Sequence, residues 1–396
     1  MSASAIGMSD LPRASSAAGK KRIRVLTLTP FYPSAKDPTQ GGFVAEPLAP
    51  MEEFGVENYT IAARPFYRAN GQVDPDYRAR WTRYFCFPGN AGLASAGDFL
   101  AERLIRVVRR CPSFDVIHAH AALPCGYAAA ELSNRLSIPF VVSVHGLDAF
   151  FTRQAGPVFG AWCGRVAKEV YREARAVVCI SESVRMEVEK DVRANTTVIY
   201  NGVNADLFAP NDECASSPMV LSVGNLIPVK GHAVLLRAFA RVAATRPESV
   251  LDIIGDGPER EKLIRLAMEL GIHQRVRFHG RKGREFVAEA MRRCAIFALP
   301  SVYEGLGCVY LEAMASGKPV IGCYGQGIEE VIESGKTGML VEPGSEEQLS
   351  GALSVLLENV ELRQRTGAAA RQVIVERFTV ARQAEQLAEV YRRCAA

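Results

Sequence analysis

Glu304 and Glu312 stand eight positions apart, and Gly305-Leu306-Gly307 follows directly on the first of them. An apolar run, Ile296 to Leu299, precedes this segment and reads as a buried strand end; an apolar, helix-like stretch carries Glu312. A strand, a glycine-rich turn and a helix start make an anion site. Free backbone N–H groups point outward there, and the helix dipole favours negative charge. Two carboxylates beside such a site do not themselves hold phosphate. An ionised carboxylate only accepts hydrogen bonds, so it suits sugar hydroxyls. The chemistry indicated is a nucleotide sugar, with its diphosphate on the backbone and its hydroxyls on the glutamates. On one straight helix, residues eight apart would be separated by about 12 Å along the axis. With Glu304 in the turn and Glu312 in the helix, both can reach one ligand.

The elements that position these residues alternate along the chain. Short β-branched runs at 23–29, 115–119, 139–144 and 176–180 read as strands, with helical patterns from Ala45 and over 128–136 and 160–174. The second half repeats the style. Strands are expected at 219–223, 250–254 and 276–278, and helices at 231–245 and 259–270. Short buried strands between helices indicate parallel sheets in an α/β architecture. Residues 209–218, polar and bounded by prolines, read as a linker. Two Rossmann-like domains would then face each other, with a cleft at the carboxyl ends of their strands.

The 396 residues fit two domains, since domains run to about 150 residues each. Apolar residues make up 48%, enough for two cores, and a net charge of +4 gives no reason to expect a nucleic-acid partner. The ten cysteines form no C-x-x-C pair, so buried free thiols in a reducing compartment are expected. No apolar run is long enough to span a membrane. Residues 1–20, rich in Ser and Ala, read as a disordered lead without the apolar core of a secretory signal, and a cytoplasmic chain is expected.

Glu304, Gly305, Gly307, Leu311, Glu312, Ala313, Met314, Gly317, Pro319 and Val320 together resemble the E-x7-E signature of retaining glycosyltransferases of family four. Further segments extend the likeness over nearly all of the chain after the lead. They are His145-Gly146-Leu147-Asp148, the stretch from Gly224 to Gly231, Asn201-Gly202-Val203, Gly255-Asp256-Gly257-Pro258 and Gly325 to Glu330. The resemblance is strongest to bacterial enzymes of surface-polysaccharide synthesis. It implies the GT-B fold: an acceptor-side domain over 21–208, a nucleotide-sugar domain over 219–375, and a C-terminal helix over 376–396 crossing back to the first domain.

The site residues follow from this resemblance. Lys230 would neutralise the leaving diphosphate, aided by the N–H groups of Gly305, Leu306 and Gly307. Glu312 would hold the ribose hydroxyls, Glu304 would position the donor sugar, and His145 would lie on the sugar's other side. Gly42, Asn225, Gly257 and Arg281 complete the expected donor contacts. The family usually has arginine where this chain has Asn225, and Lys230 alone supplies a point charge rather than a bidentate fork. The resemblance implies a hexose-type donor on UDP or GDP, a glycan, lipid-linked or small-molecule acceptor, and no cofactor or metal.

Several residues have plainer readings. Gly41-Gly42 suits an ordinary turn as well as a phosphate-side loop. His118 and His120 share a strand face but lack a third metal ligand, so they read as structural or acceptor-side. The basic stretch over 99–110 is a candidate contact with an anionic membrane, yet an amphipathic surface helix gives the same pattern. A sugar-nucleotide epimerase on the same fold, or a non-catalytic nucleotide-sugar-binding protein, are the alternative functions. A dehydrogenase is not indicated, because neither Gly255-x-Gly257 nor Gly305-x-Gly307 completes the dinucleotide fingerprint.

Overall fold

The computed structural model describes residues 22–34, 40–66, 79–86, 93–109, 113–146, 157–210 and 218–396. The lead at 1–20, most of the linker, and Leu147 and Asp148 lie outside them. Among the described residues, seven strands form one parallel sheet. They are β1 (Ile23–Thr29), β2 (Val56–Pro65), β3 (Arg80–Tyr84), β4 (Val116–His120), β5 (Phe140–Val144), β6 (Ala176–Cys179) and β7 (Thr196–Val198), in the order β3-β2-β1-β4-β5-β6-β7. Six more form a second parallel sheet: β8 (Met219–Val223), β9 (Val250–Ile254), β10 (Val276–Phe278), β11 (Ile296–Ala298), β12 (Val320–Cys323) and β13 (Met339–Val341), in the order β10-β9-β8-β11-β12-β13. Each order reverses once, between β1 and β4 and between β8 and β11, and ligands of open α/β sheets bind at such switch points.

Strands buried on both faces explain the near-continuous apolar runs. In β1, Leu26 and Leu28 enter the core on one face, while Val25 enters a second cluster on the other. That second cluster contains Ala384, Leu387, Ala388, Val390 and Tyr391. They lie on the final helix, Val380–Ala395, which covers one face of the first sheet. Thr379 caps this helix by accepting from the Arg382 N–H. Val203 pairs with Thr379, so the two crossings between the halves run side by side.

The helix expected from Ala45 is not continuous. Gly42–Ala45 forms a single turn, and 3-10 turns at Glu46–Leu48 and Pro50–Glu52 follow. Pro47 and Pro50 lack the N–H groups that a longer helix needs. The sequence reading also passed over β2, β3, β7 and the helices Arg284–Arg293, Glu346–Glu358 and Val360–Arg377. The basic stretch lies on the helix Leu93–Val108, whose Leu100, Leu104, Ile105 and Val108 are buried against the sheet. Arg110 falls outside the described residues. No helix among the described residues is long and apolar enough to cross a membrane.

Gly231 joins β8's loop to the helix His232–Thr245 with φ +71°, and an added Cβ would overlap the Pro300 carbonyl. Gly231→Ala is therefore expected to destabilise the fold by at least about 1–2 kcal/mol, read as a lowered melting temperature; an unchanged melting temperature would contradict the strain.

Candidate functional site

The carboxyl ends of the two sheets meet. Gly146, just past β5, lies against Gly305, just past β11: a Cβ on either glycine would stand 3.1 Å from the other's Cα. Ser181, after β6, donates its hydroxyl to the Gly305 carbonyl at 2.6 Å. The cleft is therefore lined by the carboxyl ends of both sheets.

On the second-sheet side, Lys230 follows β8 and Glu304 follows β11, and their side chains form an ion pair. Both are mostly shielded from water, which strengthens the pair beyond a surface contact. The Glu304 backbone is fixed as well. Its N–H donates to Gln326 Oε1 at 2.8 Å, and its carbonyl accepts from the Gly327 N–H at 3.1 Å. Gly307 precedes the helix Cys308–Ala315, which carries Glu312 one turn inside. The N-terminus expected from the glycine pattern is thus formed between the two glutamates. Leu306 is fully buried in the core, so only its backbone can serve a ligand.

Glu312 is held by a residue that sequence reading did not single out. Arg284 Nη1 lies 3.4 Å from Glu312 Oε1 and 2.7 Å from Glu46 Oε1 of the first half. Two buried carboxylates share one guanidinium, so both cannot ionise freely. Burial pushes the Glu312 carboxyl up to about 7, with Arg284 opposing and the Glu46 charge adding to the rise. Burial also raises the Glu46 carboxyl, again against Arg284. Gly42 belongs to this group, since a Cβ there would meet Arg284 Nη1 at 2.9 Å. Arg284 and Glu46 were not legible because no spacing links them; they meet only when the halves face each other.

His145 ends β5. Its Nε2 lies 3.0 Å from His120 Nδ1, and its ring packs against Phe43 with centroids 4.7 Å apart. His118 bonds Tyr391 Oη at 2.7 Å and Ser143 Oγ at 2.8 Å. The histidine pair in β4 thus supports the site from beneath. Burial depresses His118 and His145 to about 3 and holds His120 well below its usual range, so all three are neutral at pH 7. A depressed folded value gives stability that is fully present above the unfolded value of 6.5 and is lost as pH falls toward 3. The raised Glu312 and Glu46 carboxyls act oppositely, but four imidazoles, buried His232 with these three, outweigh two carboxyls. The melting temperature should therefore fall steadily from about pH 6.5 to pH 4.5; a flat profile would show that these rings are solvated.

The remaining expected residues lie further out. Asn225 is exposed on the turn after β8, and Gly257 packs under the Leu226 backbone after β9. Arg281 is exposed in the turn after β10, three positions before Arg284. The structure brings Gly42, Glu312 and Arg284 into one group, Lys230 and Glu304 into a second, and His145 against the Gly305 loop. Among the described residues, the Asn225 side chain joins none of these contacts.

Two parallel sheets facing across a charged cleft, with the last helix returned to the first sheet, define a GT-B protein. The family described as glycosyl transferases group 1 matches residues 204–373, and the one described as Glycosyltransferase Family 4 matches residues 51–207. An uncharacterised glycosyltransferase of Methanocaldococcus jannaschii is 30% identical over 253 residues, covering 64% of this chain and 68% of that protein. The structure of sucrose-phosphate synthase from Thermosynechococcus elongatus superposes with a TM-score of 0.81 at 21% identity, covering 94% of this chain and 99% of that one. Anabaena HepE, solved in complex with UDP-glucose, superposes with a TM-score of 0.73 at 21% identity, covering 93% and 99%. The chain belongs to glycosyltransferase family 4.

Proposed function

We propose that this glycosyltransferase moves a hexose-type sugar from a UDP- or GDP-sugar to a glycan, lipid-linked or small-molecule acceptor, with retention at the anomeric carbon. The observation that carries this reading is the placement of Glu304, the Gly305–Gly307 turn and Glu312 in succession at the carboxyl end of β11, with Lys230 reaching in from β8. The backbone N–H groups at the helix start and Lys230 would hold the diphosphate, the latter exchanging part of its pairing with Glu304 for phosphate. Glu312 would accept from the ribose hydroxyls, and Glu304 from the sugar. Neutral His145 would contribute hydrogen bonding rather than charge.

In this reading the bond from the anomeric carbon to the phosphate oxygen breaks as the acceptor oxygen attacks from the same face. The acceptor's proton passes to the departing phosphate. Catalysis then rests on orientation and electrostatic stabilisation. The HepE complex supports UDP-glucose as the first donor to try. A lipid-linked acceptor would place the Leu93–Val108 helix, with exposed Phe99 and Arg103, toward a bilayer.

Thermal shifts with UDP, GDP, ADP and their common sugars test the donor site. A ligand at a hundred times its dissociation constant stabilises by about 2.7 kcal/mol. A base-selective shift that disappears in Glu312→Ala is the expected result. No shift with any of these nucleotides would overturn the reading, and donor conversion without an acceptor product would favour the epimerase.

A further inference from the structure

Gly325 to Glu330 is among the segments that carry the family likeness, and within it Glu330 makes contacts that reach the first half of the chain. Its Oε2 accepts from the Glu182 N–H at 2.7 Å, and its Oε1 from the Ser183 N–H at 2.7 Å. Tyr200 Oη donates to Oε2 at 2.9 Å. All three donors belong to the first half. Two of them are the orphan N–H groups at the start of the helix Glu182–Glu189, where a carboxylate is favoured by both charge and dipole. Burial and the Glu330 hydrogen bond raise the Tyr200 phenol above its usual range, so it remains a donor.

The same short segment grips the Glu304 backbone at its other end. Gln326 and Gly327 hold the Glu304 N–H and carbonyl, and Gly327–Glu330 is a single 3-10 turn with Gly327 and Ile328 buried. A rigid turn four residues long thus has Glu304 at one end and the first half at the other. Ser181, which caps the Glu182–Glu189 helix through Val184 N–H, also donates to Gly305. Two contacts therefore converge on one helix start, one from the loop after β11 and one from the turn after β12.

We propose that Glu330 is a positioning residue: it fixes the Glu304–Gly307 loop to the first half of the chain, so that the donor sugar is presented to His145 and the acceptor in a set geometry. This rests on the placement of Glu304 at the donor sugar given above. Glu330 touches no substrate in this scheme; it acts through Gln326, Gly327 and the 182–189 helix.

Hydrogen exchange tests the proposal without any donor, so it and the donor reading fail separately. In Glu330→Ala, exchange should accelerate at least about tenfold at Glu182 and Ser183 and also across 303–307, while β8 stays as in the wild type. Tyr200→Phe, which removes one donor and leaves the helix contacts, should show the same pattern more weakly. With an active donor, kcat of Glu330→Ala should fall at least about tenfold while donor affinity stays within about threefold, the signature of lost alignment rather than lost binding. Unchanged exchange at 303–307 would overturn the proposal. Equal acceleration in β8 would also overturn it, because Glu330 would then be supporting the fold at large.

Discussion

Lys230→Ala is expected to lower glycosyl transfer by about a hundred- to a thousandfold, the usual loss when one preorganised donor to a developing negative charge is removed. Lys230 is the cation placed at the carboxyl end of β8, opposite the Gly305–Gly307 turn, and Asn225 stands where a second cation is usual. The loss should be larger in kcat than in donor affinity. The diphosphate gains charge as it leaves, and backbone N–H groups still bind it in the ground state. A second consequence concerns Glu304. Its ion-pair partner would be gone, so its side chain should be held less firmly and its hold on the sugar should weaken. Lys230→Arg should recover only part of the rate, because the fork is broader than an ammonium. Steady-state kinetics with the donor found by thermal shift would read all three effects, and a Lys230→Ala enzyme within threefold of wild type would contradict the role.

Glu312→Ala should have an effect of the same order, but on donor affinity. A hydrogen bond to a charged group contributes about 1.5–3 kcal/mol, so losing two to a ribose corresponds to a roughly hundred- to ten-thousandfold weaker donor. Truncation leaves the Arg284–Glu46 pair in place and removes the competition for the guanidinium. The wild-type enzyme should in addition bind its donor better as pH rises from about 6 to 8, because Glu312 holds its proton up to about 7. Stability moves the other way: the contribution of this raised carboxyl is present below 4.5 and is lost as pH rises through about 7. Glu312→Gln should abolish the pH dependence of affinity while retaining part of the affinity. A pH-dependent step surviving in Glu312→Gln would assign it elsewhere.

The parts of the fold that were legible are those with strong local patterns. β-branched runs between helical segments gave the parallel sheets, and the glycine turn between Glu304 and Glu312 gave a helix start at Cys308. β3 was missed because its polar residues Arg80, Thr82 and Arg83 sit at an edge, where burial does not impose an apolar run. The helix expected from Ala45 breaks into 3-10 turns because Pro47 and Pro50 cannot donate the backbone bonds that would continue it. Within the site, residues on a single strand-turn-helix unit were found, since spacing reports on local geometry. Arg284, Glu46 and Glu330 were not, since each makes a contact across the two halves that spacing does not report. Contacts between domains leave no periodicity in the sequence, and charge types alone do not say which residues will face one another.

The central claim is retaining sugar transfer from a nucleotide donor in this cleft, and anomer-resolved proton NMR of the first sugar formed from UDP-α-glucose tests it most directly. Slow donor hydrolysis suffices, with water in place of the acceptor, so the acceptor need not be known. The account predicts α-glucose ahead of mutarotation, together with UDP, and neither in Glu312→Ala. Release of β-glucose would contradict retention, and equal release by Glu312→Ala would place the reaction outside the site described.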